Sequence, residues 1–202
     1  NGADSQTPSH KPGSGGAIYA TGDLTISDSQ EIVFSVNKAS KDGGAIFAEK
    51  NVSFENITTL KVQNNGAEEK GGGIYASGDL SIQSSKQSLF NSNTSKQGGG
   101  ALYIEGNVDF KDLEEIRIKY NKSGTFETKK VTLSLPEAQT NKSSVTAASQ
   151  SGPNTTPTPT PPVTAKGGGL YTEKNLSISN ITGIIEITNN KATDVGGGAY
   201  VK

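Results

Sequence analysis

Three glutamates, Glu49, Glu105 and Glu173, share one place in a recurring pattern, each six residues beyond a glycine pair that starts at Gly43, Gly99 or Gly167. Carboxylates brought to about 5 Å on one face would suit a retaining glycosidase or a hard cation such as calcium. Lysines follow two of them (Lys50, Lys174) and Gly106 follows the other, the pattern of ordinary charged corner residues. The single imidazole, His10, lies in a polar lead segment and supports no Ser-His-Asp arrangement. Six aromatic residues each stand four places after a glycine-pair start: Tyr19, Phe47, Tyr75, Tyr103, Tyr171 and Tyr200. If the aliphatic residue before each ring points inward, strand alternation turns the rings outward. They then form a candidate binding stripe, either open to a protein or glycan partner or covered by a flanking loop or inserted segment. GGG followed by an apolar residue lacks the Lys-Ser/Thr of a phosphate loop. Calcium-binding nonapeptides need a nine-residue period with aspartate in every turn. No metal, no cofactor and no catalytic residue is expected.

The elements that must position these residues come from a repeat. Blocks beginning at Gly15, Gly43, Gly71, Gly99, Gly167 and Gly196 read GGAIYA, GGAIFA, GGGIYA, GGALYI, GGGLYT and GGGAYV, and the first three intervals are 28 residues. Nine residues after a start comes an apolar-polar-apolar triplet led by Leu24, Val52, Leu80, Val108 or Leu176. Such alternation is a half-buried strand. Asp23, Asn51, Asp79, Asn107 and Asn175 precede the triplets and mark a corner. A third apolar stretch ends at Asn37, Asn65, Asn93, Asn121 and Asn190, the asparagines being suited to a left-handed corner residue and to amide stacking.

About 28 residues cannot close a core alone, but they make one turn of a stacked coil. The predicted fold is all-β: a right-handed parallel β-helix with three short strands per rung, the hand following the preference of parallel crossovers. Interior ladders are expected from Ile18, Ile46, Ile74, Leu102 and Leu170 and from the triplet leaders. The expected organisation is a flexible lead segment (1–14), four rungs (15–121), a Pro/Thr-rich inserted loop read as disordered (122–166), and continued rungs (167–202).

Composition agrees with a thin core: hydrophobic residues are 31%, aromatics 6%, and Cys, Met and Trp are absent. Without cysteine there are no disulfides, thiolates or Cys-type zinc sites. Nineteen basic against 20 acidic residues leave a net charge of -1, with no field for nucleic acid. No apolar run approaches the roughly 18 residues of a membrane-spanning helix, and the residues from Asn1 have neither the basic region nor the apolar stretch expected of a signal peptide.

Two tetrapeptides carry a family resemblance. GGA followed by Ile or Leu stands at Gly15, Gly16, Ala17, Ile18; at Gly43, Gly44, Ala45, Ile46; and at Gly99, Gly100, Ala101, Leu102. Phe-x-x-Asn stands at Phe34 to Asn37 and at Phe90 to Asn93. In alternation they resemble the chlamydial polymorphic membrane proteins, and the long insert resembles the D-type member. The remaining rungs relax the pattern, with VQNN, IKYN and ITNN for Phe-x-x-Asn and GGGI and GGGL for the alanine form. The resemblance implies an autotransporter passenger on the bacterial outer membrane, at the cell surface or secreted after processing. It implies an adhesin for host epithelial cells in which both tetrapeptides serve adhesion. Implied partners are a host surface protein receptor or glycan, with contact with a membrane only through a barrel outside this chain; independently, open strand edges at the coil ends would allow self-association. A carbohydrate-active enzyme and a passive stalk are the competing functions.

Overall fold

The computed structural model describes residues 13–125 and 165–202; the lead segment and the insert expected between 122 and 166 lie outside these apart from residues 13–14, 122–125 and 165–166. All the described regular structure is β, wound into a solenoid that repeats every 28 residues. Three parallel sheets run along the axis. The first stacks β1 (Ile18–Ala20), β4 (Ile46–Ala48), β7 (Ile74–Ala76), β11 (Leu102–Ile104), β15 (Leu170–Thr172) and β19 (Ala199–Val201) in rung order. The second holds β2 (Leu24–Ser35) and β5 (Val52–Gln63), and in later rungs the pairs β8 (Leu80–Gln83) and β9 (Gln87–Asn91), β12 (Val108–Lys111) and β13 (Glu115–Lys119), and β16 (Leu176–Ser179) and β17 (Ile184–Thr188). The third consists of two-residue strands, β3 (Lys38–Ala39), β6 (Gly66–Ala67), β10 (Thr94–Ser95), β14 (Lys122–Ser123) and β18 (Lys191–Ala192).

The division into strands differs from the expected one. The triplet and the third apolar stretch belong to a single sheet, which in the first two rungs is one strand of 12 residues bent at Asp28 and Asn56. The third sheet follows the asparagines instead, in segments too short and polar to show a period. Corners are made by three ladders of positive φ: the first glycine of each pair, then Asp28, Asn56, Ser84, Asp112 and Asn180, then Val36, Asn64, Ser92, Tyr120 and Asn189. The left-handed residue thus stands one place before the expected asparagines, which are free to use their side chains along the axis.

Both expected interior ladders are present. Ile46, Ile74, Leu102 and Leu170 are fully buried, as are Val52, Leu80 and Val108 to within 1%, while Ile18, Leu24 and Leu176 in the outer rungs are partly buried. Phe54, Ile82 and Phe110 add another row, and Val62, Phe90 and Ile118 a fourth. Ser88 interrupts a row of Leu60 and Ile116, and its buried hydroxyl has no hydrogen-bond partner. The register steps by 68 residues from Asp112 to Asn180 and by 69 from Asn121 to Asn190, so one extra residue is accommodated near Ile181–Gly183.

Candidate functional site

The glycine tetrapeptides sit where the coil turns into the first sheet. Gly43 has φ +66, and a Cβ there would lie 2.2 Å from the Ile46 carbonyl oxygen, so backbone conformation and space both demand glycine. Gly44 is constrained by its neighbour rung: a Cβ would meet the Gly72 carbonyl oxygen at 2.0 Å. Ala45, Ile46, Ala101 and Leu102 are wholly buried, and Gly15, Gly16, Gly43, Gly44, Gly99 and Gly100 are buried with them. Only the first rung opens to solvent, with Ala17 exposed and Ile18 half-buried.

Phe-x-x-Asn sits at the opposite end of the second sheet. Phe90 and Asn93 are fully buried, and Phe34 and Asn37 in the outer rung partly so. The Asn93 side-chain oxygen accepts from the Asn65 backbone N–H at 3.0 Å and from the Asn65 side-chain amide at 3.0 Å. Its own amide donates to the Val62 carbonyl at 2.8 Å and to the Asn121 side-chain oxygen at 3.0 Å. The same pattern passes from Asn37 through Asn65, Asn93 and Asn121 to Asn190. Asn121 donates likewise to the carbonyl of Phe90, and Asn65 to that of Phe34, which explains the three-residue spacing: one residue fills the core and its carbonyl receives the next rung's asparagine.

The six aromatic residues form a continuous stack, with ring centroids 4.4 to 5.6 Å apart and interplanar angles of 1 to 17°. The stripe is not open along its middle: Phe47, Tyr75, Tyr103 and Tyr171 are at most 8% exposed, with Tyr19 and Tyr200 half-buried at the ends. The chain arriving at the glycine corner lies against it, Lys70 Nζ standing 4.6 Å from the Tyr103 ring centroid and a Cβ on Gly98 falling 3.3 Å from that ring. Burial pushes the Tyr103 hydroxyl up to about 12 and raises those of Tyr75 and Tyr171 as well, the Glu105 hydrogen bond adding to the rise at Tyr75.

The three glutamates serve this stack. Glu49 accepts from the Tyr19 hydroxyl at 2.8 Å, Glu105 from Tyr75 at 2.5 Å and Glu173 from Tyr171 at 3.3 Å. Among the described residues no group of three or more His, Asp or Glu side chains is placed to hold a metal. Sequence reasoning missed a set of open depressions on the outer face of the second sheet, lined by residues such as Gln87, Arg117 and Tyr120. Its sequence signal is Tyr120 itself, an aromatic residue at a corner place that Val36, Asn64, Ser92 and Asn189 fill in the other rungs.

Residues 31–49 and 87–105 match the model of the Chlamydia polymorphic membrane protein repeat. Each match spans one Phe-x-x-Asn and one glycine tetrapeptide. Over 98% of its length the chain is 73% identical to the probable outer membrane protein PmpB of Chlamydia trachomatis serovar D, of which it covers 12%. It is 52% identical over 25% of its length to the probable outer membrane protein PmpC of the same organism, covering 3% of it. A 20% stretch is 52% identical to the probable outer membrane protein pmp20 of Chlamydia pneumoniae, covering 2%. The match over nearly the whole chain is thus with a B-type relative, not carried by the insert's likeness to the D-type. No solved structure matches the chain.

Proposed function

The chain belongs to the chlamydial polymorphic membrane protein family, and from that premise we propose that it is a stretch of surface-exposed passenger that attaches the bacterium to host epithelial cells. The coil is the scaffold, and attachment is carried by its outer faces or by the segment inserted between residues 125 and 165. The observation that carries this reading is the burial of the inner-rung motifs: Ala45, Ile46, Leu102, Phe90 and Asn93 are all 0% exposed and so cannot touch a partner. The tetrapeptides act in adhesion by building the rungs that present other residues.

An enzymatic reading has less support, because the repeated glutamates are engaged with tyrosine hydroxyls instead of gathered around a substrate-sized space. The test is saturable binding of the purified chain to cultured epithelial cells. A well-folded chain that shows none would leave this stretch a stalk, and turnover in a screen of polysaccharides would instead make it an enzyme.

A further inference from the structure

Among the described residues, neighbouring open depressions run along the outer face of the second sheet. The first lies beside Tyr120 and Arg117, the second shares Gln87 with it, and the third shares Glu114 with the second; their volumes are about 440, 440 and 370 Å³. Together they follow β13 from Tyr120 at one end to Asp112 at the other. Three cationic side chains line them, Lys86, Arg117 and Lys119, against three anionic ones, Asp112, Glu114 and Glu115. Charges are neutralised in place: Arg117 bonds Glu115 and reaches Glu186 at 3.1 Å, and Lys119 lies 3.2 Å from Glu186. Such a groove has no excess charge with which to draw a sulfated or phosphorylated chain.

Tyr120 gives the groove an aromatic end, with Lys119 Nζ 5.8 Å from the ring centroid on one side of it. The residue has φ +57 and is 50% exposed. A bulky side chain is rare in that conformation, and burial does not repay the strain here; Val36, at the same place in the first rung, shares the conformation, and what sets Tyr120 apart is its ring beside the depression. Leu89, Gln87 and Asn91 continue from the ring along the groove floor, an apolar surface set among amide donors and acceptors.

We propose that this groove binds an uncharged linear oligosaccharide of the host-cell surface, a sugar ring packing on Tyr120 and hydroxyls bonding to Gln87, Asn91 and Arg117. This assignment rests on the adhesion reading and gives it a site and a ligand class. Aromatic rings offer sugars a flat apolar face, and planar amide and guanidinium groups match paired hydroxyls.

The test is calorimetric titration of the complete 202-residue chain with cellohexaose, laminarihexaose and a linear N-acetyllactosamine hexasaccharide, with a heparin hexasaccharide as the charged arm. Tyr120→Asn installs the residue type that Asn64 and Asn189 hold at this place in other rungs and is expected to keep or raise the melting temperature. The expected result is binding of an uncharged probe, weakened at least tenfold in Tyr120→Asn, with the same probe in excess displacing the chain from epithelial cells. The proposal is overturned if no uncharged probe binds, if only heparin binds, if Tyr120→Asn binds like the parent chain, or if the bound probe leaves cell attachment unchanged. Cell attachment without binding of any uncharged probe removes this site while leaving adhesion standing; absence of cell attachment removes the adhesion reading itself.

Discussion

Asn93 commits the whole hydrogen-bonding capacity of its amide, two acceptances and two donations, within a site that excludes water. Truncation would therefore do more than remove one side chain. Asn93→Ala leaves the Asn65 backbone N–H, the Asn65 amide and the Val62 carbonyl short of partners, each buried polar group costing about 1–3 kcal/mol. A loss of about 3 kcal/mol is expected in urea unfolding, after allowance for relaxation of the neighbouring rungs. Tyr120 and Val36 act in the other sense, since a side chain other than Gly, Asn or Asp in the left-handed region costs about 1–2 kcal/mol.

At the scale of the element, the glycine corner and the ring stack set the coil's tolerances. Gly44→Ala places a methyl group where a Cβ lies 2.0 Å from the Gly72 carbonyl oxygen and 2.7 Å from Gly66 backbone, so two rungs must part. The expected cost is about 3 kcal/mol, within the range of overpacked sites, and thermal unfolding measures it. In the ring stack, tyrosine ionises near pH 10 in an unfolded chain, whereas burial places the folded Tyr103 at about 12 and raises Tyr75 and Tyr171 too. The folded state holds these protons more tightly. Their contribution is complete below pH 10 and is lost as pH rises through the folded values. Stability should accordingly fall above about pH 10, with phenolate absorbance at 295 nm rising later than in urea-unfolded chain.

The elements legible in the sequence were those whose residues recur in kind as well as in spacing. The aliphatic ladders and the 28-residue period could be read because stacking selects the same side chain at the same place. Lys38–Ala39 and its successors in the third sheet could not, since two residues carry no alternation. The corner ladder of Val36, Asn64, Ser92, Tyr120 and Asn189 was hidden by its chemical variety, as its residues share only a backbone conformation. That the aromatic stripe is covered was one of two readings the sequence left open, and which segment covers it was illegible. The cover comes from polar segments such as the one holding Lys70, whose place beside Tyr103 depends on the tertiary winding.

At the scale of the whole molecule, the coil is continuous across the insert. Gly98 bridges to both Lys70 and Lys166, and the rung resumes at Ala165 as if Gly124 were followed by it directly. Removing residues 125–164 brings the interval from Gly99 to Gly167 back to the period of the earlier rungs. The shortened chain should keep the far-UV spectrum of its β structure. It should also unfold at equal or higher urea, because closing a loop of about 40 residues costs on the order of 3 kcal/mol in chain entropy. A collapse of the later rungs on deletion would show that the insert holds them in place.

The account's central claim is that the tetrapeptides support adhesion from inside the coil. The most direct measurement is epithelial-cell binding of the parent chain and of Asn93→Ala, each at a temperature where urea unfolding shows both to be folded. The account predicts saturable binding of equal affinity for the two, with loss in the variant appearing only as it unfolds. A fully folded Asn93→Ala chain that no longer binds would contradict it and make the motif a contact surface.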